Sequence, residues 1–405
     1  MRVVFFQHTA VIGGASWCLL EILRRLNPAE FERHVVIRER GPLWDALTEA
    51  GCDVHWAPRM GVQMPSYSAY FDRRDWPARL PYVLLREAID ALRTAAIARA
   101  WCTRLRPDAV HVNTVALYPA AVGARRAGVP RIVLHNREHW TDYAWHPLRT
   151  ALKNRWVAAG VDRILAITRE GARVFGGVDR TEIVRDWPSF DPRGRARDLA
   201  AECGVSPNAF VVLYPGGLDS YKGGRVAIDS WNLVRSADVV LVLLGYDPKG
   251  WSGRGLSRDL ARLRPDRRAS VVCLPKTRDL MSLIRRSGVV LSPFTAPHAS
   301  KAILDAAQLG VPSIASDWPE AREYLDDGLT GLLIPPGDPV ALAAAIDRLG
   351  ADREWAAALG RAAAEKVGRE FSAERSMNAI VAALRGEAAA GPVTRRPVGM
   401  RGGAA

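Results

Sequence analysis

Short runs of β-branched residues alternate with longer stretches of helical periodicity along this chain, and the alternation runs twice. Val3–Phe6, His34–Ile37, Val54–Trp56, Ala109–Asn113, Arg131–His135 and Arg163–Thr168 read as strands. Between them, Ala15–Leu26, Leu43–Ala50, Val83–Leu105 and Ala116–Ala127 carry apolar residues at helical spacing. Strands apolar on both faces and separated by helices are the mark of parallel β-α-β units, because a parallel sheet is covered on both sides. From about Arg185 to Gly204 the pattern pauses. Trp187-Pro188, Asp191-Pro192 and several arginines there read as a linker.

The second series has strands Phe210–Tyr214, Val239–Gly245, Ser270–Leu274, Val289–Ser292, Ser313–Ser316 and Leu332–Ile334. Its helices are Gly224–Val234, Asp279–Arg286, Ala302–Leu309, Pro339–Leu349 and Glu354–Phe371. At 405 residues the chain exceeds a single core, since domains run to roughly 100–200 residues. The expected class is therefore α/β, with two Rossmann-like domains at 1–185 and 186–371. A helix at 372–385 follows. The Gly/Ala/Pro/Arg-rich end, 386–405, has too little apolar material to repay ordering and is expected to be disordered.

Composition narrows the function classes. Lys and Arg outnumber Asp and Glu by 56 to 43, a formal charge of +13, which favours anionic partners. The surplus is arginine dispersed along the chain rather than a dense run, so it fits solvated faces as well as a binding surface. The five cysteines are scattered, with no C-x-x-C pair or His/Cys cluster, and suggest neither a disulfide framework nor a zinc site. Gln7 and His8 cut short the only apolar run near the amino terminus, and no stretch offers about 18 uninterrupted apolar residues. A cytoplasmic protein is expected.

Three segments could carry chemistry. Gly13-Gly14-Ala15 lies between the first strand and first helix, where glycines let a ligand approach the backbone and a helix N-terminus offers N–H groups to an anion; a tight turn with no ligand has the same sequence. Gly216-Gly217-Leu218-Asp219-Ser220-Tyr221-Lys222-Gly223-Gly224 follows the first strand of the second series. Lysine is scarce in this chain, and an ammonium in such a turn is a compact counter-charge for phosphate. The third runs from Pro293 to Gly331. Its helix begins near Ser300, so Lys301 and Ala302 present another helix start, and Asp305 sits one turn on, about 6–8 Å away at ~1.5 Å per residue. A carboxylate there reaches ribose hydroxyls while the helix end faces a diphosphate; a solvated helix residue is the bland alternative.

The third segment resembles the bacterial GT-B glycosyltransferases of the large retaining group called family 4. Leu304-Asp305-Ala306-Ala307 through Gly310-Val311-Pro312-Ser313-Ile314-Ala315-Ser316 follows the family's "EAxAxGxPVIAS". Glu323, Asp327-Gly328-Leu329-Thr330-Gly331 and Pro336-Gly337-Asp338-Pro339 follow its next block. Gly216 with Lys222-Gly223, Gly13-Gly14-Ala15 and His135-Asn136-Arg137-Glu138 match as well, so the likeness covers Met1 to about Arg385. Two positions depart: Gly217 stands where the family has arginine, and the family's E-x7-E falls on Pro297 and Asp305.

The resemblance implies two domains facing across a cleft, the first binding acceptor and the second a nucleotide-sugar donor, with the 372–385 helix crossing back. It implies transfer with retention of anomeric configuration and electrostatic stabilisation of the departing diphosphate by Lys222, the amides around Ser300–Ala302 and the Gly14 turn. His135 would lie near the donor sugar, Lys301 could replace the missing arginine charge, and Glu138 and Trp140 would meet the acceptor, with Tyr143 and Trp145 as further stacking candidates. The acceptor could be a sugar, a lipid-linked group or a small molecule. No metal is expected, because D-x-D is absent. The arginine-rich stretch Asp72–Arg106 could touch anionic lipid at the inner face of the membrane, or be a long helix with a solvated face. A nucleotide-sugar epimerase and a catalytically silent partner subunit, the latter favoured by Gly217 and Pro297, are the competing readings. A nucleic-acid binder suits only the charge.

Overall fold

The computed structural model describes residues 1–63, 76–138, 147–175, 180–189, 195–217, 220–245, 258–275, 277 and 279–388. In the first domain the order is β1 (Arg2–Gln7), α1 (Gly14–Arg25), β2 (Glu32–Ile37), α2 (Pro42–Glu49), β3 (Asp53–Trp56), α3 (Trp76–Leu105), β4 (Ala109–Val112), α4 (Tyr118–Arg126), β5 (Arg131–Asn136), α5 (Pro147–Gly160), β6 (Arg163–Ala166), α6 (Arg169–Arg173) and β7 (Thr181–Ile183). The second has α7 (Leu199–Cys203), β8 (Phe210–Tyr214), α8 (Gly224–Trp231), β9 (Val239–Leu244), α9 (Pro265–Ala269), β10 (Val271–Leu274), α10 (Leu280–Arg286), β11 (Val289–Ser292), α11 (Lys301–Gln308), β12 (Ser313–Ser316), α12 (Pro319–Arg322), β13 (Leu332–Ile334), α13 (Pro339–Ala351) and α14 (Arg353–Glu370). A last helix, α15 (Ala373–Arg385), follows.

Both sheets are parallel throughout. The first runs β3-β2-β1-β4-β5-β6-β7 and the second β10-β9-β8-β11-β12-β13. Val3, Val4, Phe5 and Phe6 are all fully buried, with Val3 and Phe5 on one face of the sheet and Val4 and Phe6 on the other. That is why β1 reads as a continuous apolar run rather than an alternating one. In each sheet the strand order reverses beside the first strand of its domain, β1 between β2 and β4, β8 between β9 and β11. Open α/β sheets bind ligands outside the carboxyl ends of the strands at such reversals.

The chain returns to the first domain at its end. Met377, Ile380, Ala383 and Leu384 of α15 are buried in the same core as Val3, Phe5 and Val133. Ser372 starts this helix by accepting the Arg375 N–H on its hydroxyl at 3.2 Å, and Gly386 ends it at φ 77°.

Local differences from the sequence reading have physical causes. The helix expected to start at Ala116 begins instead as a 3-10 turn, Val115–Leu117, because Thr114 accepts the Ala116 N–H. Regular helix starts at Tyr118 with Pro119 in its first turn, where a missing N–H costs nothing. The segment read as linker holds α7, capped by Asp198, and buries Trp187 against the first core. Strand β7 and helix α5 were not expected. The tail lies outside the described residues from 389 on.

Candidate functional site

Three strand-to-helix turns meet between the domains. At the end of β1, Gly13 precedes α1 with no side-chain cap, so the first N–H groups of a 12-residue helix are left without a side-chain acceptor. After β8 the chain makes a 3-10 turn, Ser220–Lys222, and enters α8 through Gly223 at φ 79°. A β-carbon on Gly223 would run into the Pro293 carbonyl oxygen, so the loops after β8 and β11 touch backbone to backbone. Thr295 N–H donates to the Tyr221 carbonyl at 2.9 Å, locking the pair. The loop after β11 then delivers α11, whose N-cap Ser300 spends its hydroxyl on Ser292 at 2.9 Å rather than on the helix amides.

These turns face one another. A β-carbon on Gly14 would stand 3.6 Å from the Lys301 β-carbon. Two helix N-termini, α1 from the first domain and α11 from the second, therefore converge on one place, and Lys222 ends the turn whose next residue, Gly223, touches the loop leading into α11. Lys222 sits 5.6 Å over the Tyr221 ring, and Tyr221, Phe294 and His298 form a ring cluster, the last two stacked at 4.7 Å. Trp318 closes the cluster from behind by donating its indole N–H to the Phe294 carbonyl at 3.0 Å. Pro297 thus lies in a loop fixed by aromatic packing.

Lys301 and Asp305 are engaged with each other. The Lys301 ammonium donates to Asp305 Oδ1 at 2.6 Å and to Ser189 Oγ at 2.7 Å, and Asp305 Oδ1 also accepts the Ser189 N–H at 2.7 Å. Burial alone would lower the lysine pKa, but Asp305 beside it turns the shift upward. The geometry therefore ties the interdomain segment to α11; Asp305 Oδ1 is already spent on protein partners.

His135 is on β5 and 1% exposed. Arg137 Nη2 donates toward its Nδ1 at 3.3 Å, and His111 Nε2 lies 3.3 Å from the same atom. With a guanidinium on it, Nδ1 must be the acceptor, which places the ring proton on Nε2. Burial and the nearby Arg137 charge push His135 well below the ordinary histidine range, and His111 to about 3. Both shifts favour the neutral ring. Arg137 itself pairs with Asp186 of the interdomain segment and donates to Asn113 Oδ1 at 3.2 Å; Asn113 continues to Gln7 at 2.9 Å and Gln7 to Ser16 of α1 at 3.0 Å. This buried chain underlies the Gly13-Gly14 turn.

Glu138 is next along the chain. Burial raises its carboxyl to about 7, against the pull of Lys222 and Arg137. A carboxylate of the first domain thus feels the ammonium of the second. Trp140, Tyr143 and Trp145 lie outside the described residues.

The family follows from both halves of the chain. Residues 13–184 match the family model described as glycosyl transferase 4-like domain, and residues 209–352 the one described as glycosyl transferases group 1. The chain belongs to the group 1 glycosyltransferases. This glycosyltransferase is 27% identical to D-inositol 3-phosphate glycosyltransferase of Salinispora tropica, over 96% of this chain and 83% of that one. It is 25% identical to glycogen synthase of Mycobacterium tuberculosis, over 78% and 77%. Among solved structures it is similar to Anabaena HepE in complex with UDP-glucose, TM-score 0.76 at 19% identity, over 95% of this chain and all of that one. It is also similar to sucrose-phosphate synthase from Thermosynechococcus elongatus, TM-score 0.71 at 17% identity, over 95% and 98%. The fold is GT-B, two Rossmann-like domains across a cleft.

Several motif residues of this glycosyltransferase serve architecture. Asp338 Oδ1 accepts the Val340 and Ala341 N–H groups at 2.9 Å, with Pro339 at the helix start, so Pro336-Gly337-Asp338-Pro339 is a helix cap. Asp327 holds the Leu333 N–H at 2.8 Å across the Gly328–Gly331 turn. Glu323 joins the domains: Oε1 accepts the Arg169 N–H at 2.7 Å, and Oε2 lies 3.4 Å from Arg185. The sequence reading missed Asp186, Asn113 and Gln7, because isolated polar residues in apolar strands or a linker carry no spacing signal. It also missed the 1%-exposed Glu320, whose presence inside a buried helix turn only the fold reveals.

Proposed function

We propose that this glycosyltransferase takes its sugar from a nucleoside-diphosphate sugar and attaches it, with retention of configuration, to an acceptor hydroxyl. The observation that carries this is the convergence of the α1 and α11 N-termini with Lys222 at two facing sheet reversals. Such a place is suited to a diphosphate, which needs several N–H donors and a positive charge but little covalent chemistry. The step breaks the bond from the anomeric carbon to the diphosphate oxygen and forms one to the acceptor oxygen. The products are the glycoside and the nucleoside diphosphate, with the hydroxyl proton passing to the leaving oxygen.

Each residue then has a part. Lys222 offsets charge growing on the leaving diphosphate. Gly216, Gly217 and Gly223 let the loop backbone come close. Glu138, with a carboxyl near 7, holds the acceptor hydroxyl from the opposite side of the cleft. His135, neutral and buried, orients Arg137 rather than transferring a proton. No divalent ion is required at the diphosphate, since the lysine and the two helix ends provide the counter-charge; activity is expected to survive EDTA. The similarity to HepE and to D-inositol 3-phosphate glycosyltransferases makes UDP-glucose the first donor to try and a phosphorylated cyclitol the first acceptor, with a glucan next. Transfer with NMR assignment of the product anomer tests the reading: the donor's own configuration supports it, and inversion, or donor epimerisation without transfer, contradicts it.

The acceptor domain offers a surface for peripheral contact with an anionic membrane. Among the described residues no helix is long and apolar enough to cross one. On α3, however, Tyr82, Leu85, Ile89 and Leu92 are 39–68% exposed at spacings of three and four, a single apolar stripe. Exposed Arg86, Arg93, Arg99 and Arg104 flank it. Apolar residues rimmed by arginine suit the boundary between acyl chains and anionic head groups. Flotation with vesicles containing phosphatidylglycerol tests this: binding is expected for the native chain and lost with Leu85→Asp and Leu92→Asp together, whereas no binding to such vesicles excludes it.

A further inference from the structure

A cluster of metal-ligating side chains sits at the opposite end of the first sheet from the cleft. Strands β2 and β3 pair in register His34↔Asp53 and Val36↔His55, so Glu32, His34, Asp53 and His55 share one face at the sheet edge. His34 Nδ1 lies 3.1 Å from His55 Nε2 and 3.5 Å from Asp53 Oδ2, while Glu32 Oε1 lies 2.8 Å from His34 Nε2. Glu32, His34 and Asp53 offer ligand atoms all within 4.8 Å of one another. In tetrahedral zinc, with metal–ligand bonds of about 2.0–2.1 Å, ligand atoms stand roughly 3.3 Å apart. The two separations from His34 Nδ1 bracket that value; His55 and Asp53 form no ion pair within 4.0 Å, so the exposed Asp53 carboxylate has to swing toward His55 to close the site.

From this geometry we infer a binding site for a Zn2+-like transition ion, ligated by His34 Nδ1, His55 Nε2 and Asp53 Oδ2, with Glu32 as the carboxylate behind His34. His34 Nε2–H donates to Glu32 Oε1, which leaves the Nδ1 lone pair directed at His55 and Asp53. This is the carboxylate–histidine–metal relay that fixes a ligand's tautomer. Arg2, 2.9 Å from the other oxygen of Glu32, keeps that residue in its supporting place. Without an ion, His55 Nε2–H donates to His34 Nδ1; to bind one, His55 moves its proton to Nδ1. Trp101 of α3 packs 4.8 Å from the His55 ring and limits how far it can turn, and Arg104 sits over Trp101. Asp53 is exposed, so solvent completes the coordination, and two imidazoles with one carboxylate suit zinc, copper or nickel better than magnesium or calcium. The ion would join the edge strand β3 to β2, far from the diphosphate cradle at the other ends of the strands. Its role is to hold a sheet edge.

Full-length protein without a histidine tag, stripped with a chelator, would be titrated with ZnCl2 by calorimetry and with CoCl2 by visible spectroscopy. One ion per chain, the intense d–d bands of tetrahedral cobalt and a Tm that rises with zinc are expected. His55→Gln and Asp53→Asn, both at accessible positions and so expected to fold, should each weaken binding about tenfold or more, and Glu32→Gln by about tenfold. Absence of binding, or native-strength binding in folded His55→Gln, overturns the site.

Discussion

Gly14 of the first domain and Lys301 of the second stand so close that a β-carbon on the glycine would be 3.6 Å from that of the lysine. Two helix N-termini oppose each other there, so side-chain bulk at Gly14 competes with ligand rather than with the core. Gly14→Ala makes only an ordinary contact and should leave the unfolding free energy within about 1 kcal/mol of the native value. Gly14→Leu should likewise fold but lose donor affinity, read as a raised Kd for the nucleoside diphosphate. Unchanged affinity in a folded Gly14→Leu protein would place the donor elsewhere.

Gly223 and Gly217 both have positive φ, yet they differ in what surrounds them. Gly217 at φ 71° has open space around its β position, so Gly217→Ala should cost only the left-handed backbone penalty, about 1–2 kcal/mol. Gly223→Ala adds collision with the Pro293 backbone and should cost at least ~3 kcal/mol. Urea unfolding of the two variants measures the difference directly; equal costs would mean that the loops after β8 and β11 do not touch.

The Glu138 carboxyl, raised to about 7 by burial, sets a pH dependence with a definite sign. Below about 4.5 it is protonated in both folded and unfolded chains. Between there and about 7 the unfolded chain ionises while the folded one stays neutral, so this residue's contribution to stability falls as pH rises, then levels off. The limit is about 3 kcal/mol, from roughly 1.4 kcal/mol per pKa unit. Glu138→Gln should therefore gain Tm over the native protein at pH 8 and show no difference at pH 4.5. A variant less stable at pH 8 would reverse the assignment.

Glu323 links the two domains outside the ligand site through Arg169 and Arg185. Removing it frees the Arg169 N–H and the Arg185 guanidinium, so Glu323→Ala should loosen the closed arrangement. Small-angle scattering should give a larger radius of gyration, and kcat should fall more than Tm. A scattering curve identical to that of the native protein contradicts the latch.

How much of this was legible in the chain depends on the kind of signal. Strand and helix alternation is written by burial on both faces, as in Val3–Phe6, and the sequence shows it directly. The glycine turns are legible too, since φ near 79° at Gly223 is a demand few other residues meet. Roles are less so. Asp305 and Lys301 carry the spacing of a ribose reader and a phosphate clamp, while the 2.6 Å bond from Lys301 to Asp305 Oδ1 shares a partner in Ser189, 112 residues away from Lys301 and beyond any local pattern. His135 has the position of a sugar-facing histidine, and neither its 1% exposure nor the Arg137 Nη2 at 3.3 Å from its Nδ1 could be read from spacing. Asp186 sits in a segment that reads as linker, and its partner lies 49 residues earlier, beyond any local pattern. Pairings across the cleft are products of the fold.

The convergence on Lys222 is tested most directly by calorimetric titration of the protein with UDP, GDP, ADP and TDP, repeated with Lys222→Ala. One nucleotide is expected to bind the native chain, and the variant is expected to bind it at least about tenfold more weakly, the loss of roughly 1.4 kcal/mol or more from one phosphate contact. Native-strength binding by Lys222→Ala would contradict the diphosphate cradle. No binding of any of the four by the native chain would do so as well, and would make this glycosyltransferase-fold chain a silent partner of an active subunit.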